Sequence, residues 1–324
     1  MTVLANLFAR LGPPWLQIAC VAAVLLLLSA VCARPVFAAV CARGAQSGVG
    51  AVALFYGEQV PVDQLSQFDT VVVEADSGFD PRAVSTMAAA KDGDKPRCTN
   101  WYAYVSVGEV TKDRDYMASM PKKWLIGRNS EWASAVIDQG APGWPQFFVE
   151  HIIAPLWARG YRGFFLDTLD SWQLIAKTDA ARARQQAGLV NTIRALKARY
   201  PDAKLIFNRG FEVLPELHGD VAAVAFESLY GNWDQGNQRY GAVPADDRDW
   251  LLGQARTIRE RYRLPVISID YCASDDAACR REIAAKICAA GIEPYVTDGA
   301  LRTVGVGADA DAACRARLDA AQRN

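Results

Sequence analysis

Eight short apolar runs recur between residues 51 and 298, and each is separated from the next by a longer segment of helical period or by turn residues. They are AVALFYG (51–57), DTVVVEA (69–75), WYAYVSVG (101–108), GFFLDTL (163–169), AKLIFNRG (203–210), VAAVAFESL (221–229), LPVISIDY (264–271) and IEPYVTD (292–298). Buried strands rich in Val, Ile and aromatics that alternate with helices are joined by crossovers and pair in parallel. Eight of them in about 250 residues match a single (β/α)8 TIM-type barrel, an α/β fold. An open doubly wound sheet is the alternative, because strand count does not prove closure. The barrel is expected over residues 51–300, with a C-terminal extension at 301–324.

The intervening helices are legible. GWPQFFVEHIIAPLWARG places Phe147, Phe148, His151, Ile152 and Leu156 on one face and stops at Gly160, while ARQQAGLVNTIRALKARYP and DDRDWLLGQARTIRERY behave similarly. Some 50 residues separate the third run from the fourth. Their stretch PKKWLIGRNSEWASAVIDQGAPGW is expected to form a hairpin or an ordered loop over one mouth of the barrel.

Ahead of the first run, Leu16 to Val31 is almost wholly apolar, follows Arg10, and leads to small residues around Ala38. This is the pattern of a signal peptide over residues 1–38, cut near Ala38. The run is shorter than the ~20 residues that span a bilayer, so no stable membrane association is expected after cleavage. Residues 39–50, small and glycine-rich, form a linker. A periplasmic or secreted destination follows, and the cysteines agree. Six remain after cleavage, Cys41, Cys98, Cys272, Cys279, Cys288 and Cys314, an even number suited to disulfides, with four of them beyond residue 270. Cys272 and Cys279 are too far apart in sequence for a zinc pair, and the two histidines, His151 and His218, lie far from them. No metal or cofactor is expected.

The chain holds 35 Lys and Arg against 36 Asp and Glu. Residues 1–38 contain two of the bases, Arg10 and Arg34, and no acid, which puts the cleaved chain at −3. No basic stripe exists to hold nucleic acid.

A parallel barrel delivers the C-terminal ends of all its strands to one face, and the working residues project from there. Position alone therefore selects Tyr56 and Glu58, Glu74 and Asp76, Ser106, Gly108 and Glu109, and Asp167 and Asp170. It adds Asn208 and Arg209, Glu227 and Ser228, Asp270 and Tyr271, and Asp298. Crowded carboxylates raise one another's pKa unless cations answer them, and Arg82, Arg162, Arg209 and Lys112 could do so. Asp167 and Glu227 stand apart: each ends an apolar run, FFLD and VAFE, where burial of a charge is costly. Two carboxylates facing across a barrel mouth can cleave a glycosidic bond, one attacking or steering water and the other protonating the leaving oxygen.

The segments FYGEQVP, AYVSVGE, GYRGFFLDTLDSW, LIFNRGFE and AAVAFESLYG, in this order, resemble the endo-α-1,4-polygalactosaminidase-like glycoside hydrolases, and most closely the hydrolase domains of bacterial Pel exopolysaccharide systems. The resemblance runs from about Ala51 to about Asp298. It implies internal cleavage of α-1,4-linked galactosamine and N-acetylgalactosamine polymers, with Asp167 as nucleophile and Glu227 as general acid/base of a retaining reaction. Glu227 is then expected to have a raised pKa and Asp167, hydrogen-bonded by Asn208, to stay ionised. No length remains for the deacetylase that follows in those relatives, so deacetylation is not expected of this chain.

A polysaccharide cleft needs exposed aromatics and polar groups. The loop YGNWDQGNQRYG supplies Tyr230, Asn232, Trp233, Asp234 and Tyr240; Trp172 and Tyr271 are further candidates. An acidic mouth of Asp76, Glu109, Asp170 and Asp270 would attract a partly deacetylated, cationic polymer. No G-x-S-x-G elbow accompanies Ser106, which excludes that form of serine hydrolase. Two alternatives stand beside this reading: hydrolysis of another α-galactosyl polymer, and a barrel that binds polysaccharide without cutting it.

Overall fold

Each of the eight apolar runs forms a strand in the computed structural model of the protein, which describes residues 49–88 and 99–323. The first half of the chain contributes β1 (Val52–Phe55), β2 (Thr70–Val73), β3 (Asn100–Ser106), β4 (Glu109–Val110), β5 (Leu125–Asn129), β6 (Ser134–Ile137) and β7 (Gly163–Asp167). The second contributes β8 (Lys204–Asn208), β9 (Ala223–Glu227), β10 (Gly231–Asp234), β11 (Arg239–Ala242), β12 (Val266–Tyr271), β13 (Glu293–Thr297) and β14 (Val306–Gly307). The signal peptide, most of the linker, Cys41 and Cys98 lie outside the described residues.

The main sheet has the order β1-β2-β3-β7-β8-β9-β12-β13-β14, parallel except for β14, which pairs antiparallel with β13. It is a nearly closed (β/α)8-type barrel. Where β13 meets β1, the Tyr295 hydroxyl donates to Leu54 O and the Tyr56 amide donates to Leu301 O, both at 2.8 Å. The strands read as continuous apolar runs because helices cover the outer face and side chains fill the interior: β1, β2, β12 and β13 are buried throughout.

Local chemistry sets the helix boundaries. Thr178 caps Asp179–Arg199 by accepting from the Ala181 amide at 3.2 Å, and Asp276 caps Ala277–Ala289 by accepting from Cys279 N at 2.9 Å. Gly188 lets the first of these lie against the loop at Gln139, since a Cβ there would fall 2.0 Å from the Gln139 carbonyl oxygen. The stretch expected to pack His151 inward differs from an ideal helix. Phe148–Ile153 is a π-helical turn between two α-helical stretches. Phe147, Phe148, Ile152 and Leu156 are buried, but His151 is exposed and stacks on Phe147 at 4.3 Å. The wider turn advances the helix phase by one residue and carries His151 off the buried face.

The long insertion after β3 folds into a three-stranded antiparallel sheet, β4-β6-β5, over the C-terminal mouth. Beyond residue 300, β14 extends the barrel sheet and the helix Ala312–Arg323 closes the chain. Disulfides join Cys272 to Cys279 and Cys288 to Cys314. The C-terminal region is thus stapled, as the cysteine positions suggest. Among the described residues no helix is long and apolar enough to cross a membrane.

Candidate active site

Three adjacent strands end at the centre of the barrel mouth on Asp167 (β7), Asn208 (β8) and Glu227 (β9). Registry explains why these three meet. Asn208 pairs with Ala225, and Ala225 and Glu227 lie on the same face because strand side chains alternate. Each of the three is followed by a non-glycine residue in the left-handed region: Thr168 (φ 60°), Arg209 (φ 61°) and Ser228 (φ 62°). Such conformations store strain and persist where surroundings enforce them. For β-branched Thr168 the enforcement is visible: its hydroxyl accepts from the amides of Val107 (3.1 Å) and Gly108 (2.8 Å). The turn stops each strand abruptly and leaves the preceding side chain facing the cleft.

The Asn208 side-chain nitrogen donates to Asp167 Oδ1 and to Glu227 Oε1, each at 2.8 Å. Two bonds of 2.8 Å meeting at one nitrogen hold those oxygens no more than 5.6 Å apart. Each carboxylate accepts from a tyrosine on its other oxygen. Tyr104 donates to Asp167 Oδ2 at 2.7 Å, and Tyr271 donates a short bond to Glu227 Oε2. Tyr56 lies against Tyr104, with ring centroids 5.0 Å apart.

The two carboxyls differ in environment, and not as expected. Asp167 is partly buried; desolvation, and then the nearby Glu227 charge, push its pKa up to about 6 against the lowering effect of Tyr104 and Asn208. Glu227, expected to be buried like Asp167, is exposed to the cleft instead. The strand carrying it extends two residues past Asn208's partner, which lifts the carboxyl out of the packed interior. Burial also drives the Tyr56, Tyr104 and Tyr271 hydroxyls well above 10, so all three remain protonated, and Tyr104 and Tyr271 act as donors.

A cleft of about 890 Å³ surrounds this centre. Of the sequence candidates, Tyr56, Glu74, Ser106, Glu109, Asp167, Asp170, Asn208, Arg209, Glu227, Ser228, Asn232, Trp233 and Tyr271 line it; Glu58, Asp76, Gly108, Trp172, Tyr230, Asp234, Tyr240, Asp270 and Asp298 do not. Asp270 is fully buried and accepts from the amides of Leu229, Tyr230 and Gly231 and from the Ser268 hydroxyl. Its role is to hold the start of β10. Asp76 sits at the rim on Arg114 (2.6 Å), which also grips Glu74 through two bonds of 2.9 Å. Asp170 faces Arg209 at 3.4 Å. Glu109 is 5 % exposed and accepts from Ser134, Ser171 and Asn129, while Ser106 bonds to Glu109 O and Thr168. The expected acidic mouth therefore has different members: two of its four proposed acids lie outside the cleft, and one of those inside is internally bonded. The lining nonetheless holds six carboxylates against three arginines.

The segment read as an aromatic loop is the hairpin β10–β11. Trp233 packs at a tilt against Tyr240, ring centroids 4.6 Å apart, and covers Gly299, whose missing Cβ leaves room for the indole ring. Trp172 is buried. Selection by strand ends missed Tyr104, Arg114 and Trp132. Tyr104 could have been found by alternation, since it lies two residues before Ser106, which pairs with Asp167. Among the described residues no cluster of three or more His, Cys, Asp or Glu could hold a metal ion.

Comparison with known proteins agrees with this architecture. An uncharacterized protein of Deinococcus radiodurans is 26% identical over 258 residues, covering 73% of this chain and 75% of that protein. The glycoside hydrolase domain of PelA from Pseudomonas aeruginosa is 39% identical, with a TM-score of 0.70 over 79% of this chain and 97% of the domain. Ega3 of Aspergillus fumigatus, solved with galactosamine, shares the fold at 15% identity, with a TM-score of 0.55 over 81% of this chain and 96% of its own. Residues 45–316 match glycoside-hydrolase family GH114. By this match and the likeness to the PelA domain the protein is a glycoside hydrolase, and the chain belongs to family GH114.

Proposed function

We propose that the protein is an exported, endo-acting hydrolase of α-1,4-linked galactosamine and N-acetylgalactosamine polymers, with Asp167 as nucleophile and Glu227 as acid/base in a retaining reaction. The observation that carries this reading is the shared Asn208 amide. It keeps Asp167 Oδ1 and Glu227 Oε1 no more than 5.6 Å apart, which favours the roughly 5–5.5 Å spacing of retaining enzymes over the roughly 6.5–9.5 Å that admits a water. The substrate class draws on the likeness to the PelA domain and to Ega3, and on the excess of carboxylates in the lining, which favours a cationic sugar. Export draws on the two disulfides, which suit an oxidising compartment.

In this mechanism an Asp167 oxygen, oriented by Tyr104 and Asn208, attacks the anomeric carbon. The bond to the leaving oxygen breaks as Glu227 gives that oxygen its proton. Water then enters; Glu227 removes its proton, its oxygen bonds the anomeric carbon, and Asp167 leaves as carboxylate. Exposure suits Glu227 to this exchange of protons with water, whereas Asp167 needs a fixed, partly dry position.

Proton NMR of the first-formed product on a defined galactosaminyl oligomer, with mass spectrometry of fragment lengths, tests the assignment. An α-configured first product, internal cuts, and loss of turnover in Asp167→Asn and Glu227→Ala are expected. A β-configured first product rejects the retaining mechanism. Turnover of neutral galactans with no cleavage of galactosamine polymer rejects the substrate.

A further inference from the structure

Four large apolar side chains are conspicuously exposed among the described residues: Ile126 (44 %), Trp132 (56 %), Leu174 (47 %) and Trp250 (47 %). Two of them, Trp132 and Leu174, line the cleft that contains the carboxylates. Trp132 sits on the turn between β5 and β6, and Leu174 ends the short helix Ser171–Leu174 that follows β7. Strand order puts this wall, built after the third and fourth barrel strands, across the mouth from Ala300–Arg302, which follow the eighth.

The two elements are locked together by a buried acid. Glu109 accepts from Ser134 and Asn129 on the hairpin side and from Ser171 at the start of the short helix. Gly127 of β5 presses on Ile175, where a Cβ would lie 2.3 Å from the Ile175 methyl. The turn itself is shaped by Asn129 Oδ1, which accepts from the Glu131 amide at 3.1 Å, and by Ala133 at φ 52°. An indole held out into a polar cleft on so fixed a support gains nothing from burial in the folded chain; it gains contact area only when a ligand covers it. Beside it the Glu131 carboxylate is exposed and also lines the cleft.

Resting on the galactosaminide reading above, we propose that Trp132 and Leu174, flanked by Glu131, form a distal subsite that stacks one galactosaminyl ring of the bound polymer and prefers its amine as the free cation. The apolar face of the sugar covers the indole and the ammonium faces Glu131. Across the mouth Arg302 lines the cleft, and a cationic residue is disfavoured there. The site therefore recognises a polymer segment that is partly deacetylated and long enough to reach the hairpin.

The test compares kcat/KM on a galactosaminyl tetramer and decamer, and on fully N-acetylated and deacetylated decamers, for the wild type, Trp132→Ala, Trp132→Tyr and Glu131→Gln. Thermal melts establish that each variant is folded. Trp132→Ala is expected to raise KM on the decamer roughly tenfold with kcat little changed, reducing its advantage over the tetramer, while Trp132→Tyr retains most of that advantage. Glu131→Gln is expected to weaken the preference for the deacetylated decamer. Cleavage of both lengths with an unchanged ratio in Trp132→Ala overturns the subsite alone. Failure of the wild type to cleave any of these oligomers overturns the galactosaminide reading, and the subsite with it.

Discussion

Asp167 and Glu227 are joined through a single atom: the Asn208 side-chain nitrogen donates a 2.8 Å bond to an oxygen of each. That amide sets the distance between the carboxyls and supports negative charge on both. Asn208→Ala removes both donors, so kcat/KM is expected to fall by roughly 10²-fold or more. The acid limb of the pH–rate profile should move to higher pH, because a carboxylate that loses a donor is easier to protonate. An unshifted limb refutes this role.

The raised pKa of Asp167 has a stability consequence. A carboxyl whose folded value (about 6) lies above its ordinary 3.8 binds its proton more tightly in the folded state, so it lowers stability as pH rises from about 4 to about 6. Asp167→Asn is expected to raise the melting temperature at pH 7.5, with the gain shrinking at pH 4; a gain independent of pH rejects the desolvation argument. Wild-type activity should fall as pH drops through about 6, where the nucleophile becomes protonated.

Tyr104 approaches Asp167 from one layer deeper in the barrel, its hydroxyl 2.7 Å from Oδ2. Tyr104→Phe keeps the ring packed on Tyr56 and Phe165 and removes only the donor. A 10- to 100-fold loss in kcat, on the order of 1.4–3 kcal/mol, is expected with KM nearly constant. A change confined to KM would contradict a role at Asp167.

Asp270 illustrates a buried acid with a purely architectural task. Asp270→Ala leaves the amides of Leu229, Tyr230 and Gly231 without their acceptor. Unfolding in urea should show a loss of about 3 kcal/mol or more. Gly231 begins the hairpin that carries Trp233, so a rise in KM is expected at temperatures where the variant is folded.

The Cys288–Cys314 bridge spans 26 residues and ties the C-terminal helix to Ala277–Ala289. Paired substitution of both cysteines by Ala is expected to lower stability by about 3 kcal/mol, and loss of the shorter Cys272–Cys279 bridge to have a smaller effect. Melting curves with and without reductant measure both; equal effects would contradict the loop-closure account.

Sequence alone located all eight barrel strands and placed Asp167, Asn208 and Glu227 at the ends of three of them, because a strand buried on both faces writes itself as a continuous apolar run and a parallel barrel presents all its strand ends together. Tertiary structure decided which acids face the cleft. Asp270 and Asp167 have the same sequence signature, an aspartate closing an apolar run, yet amides some 40 residues away in sequence surround Asp270 while Asp167 opens onto the cleft. It also placed Tyr104 beneath Asp167, put Glu227 on the exposed side of the pair, and set Trp132 on a hairpin anchored by Glu109. Apolar periodicity is a property of neighbouring residues. Desolvation and hydrogen-bond satisfaction depend on what the rest of the chain brings to each carboxylate, so only the folded barrel separates the acids that support it from those free to act.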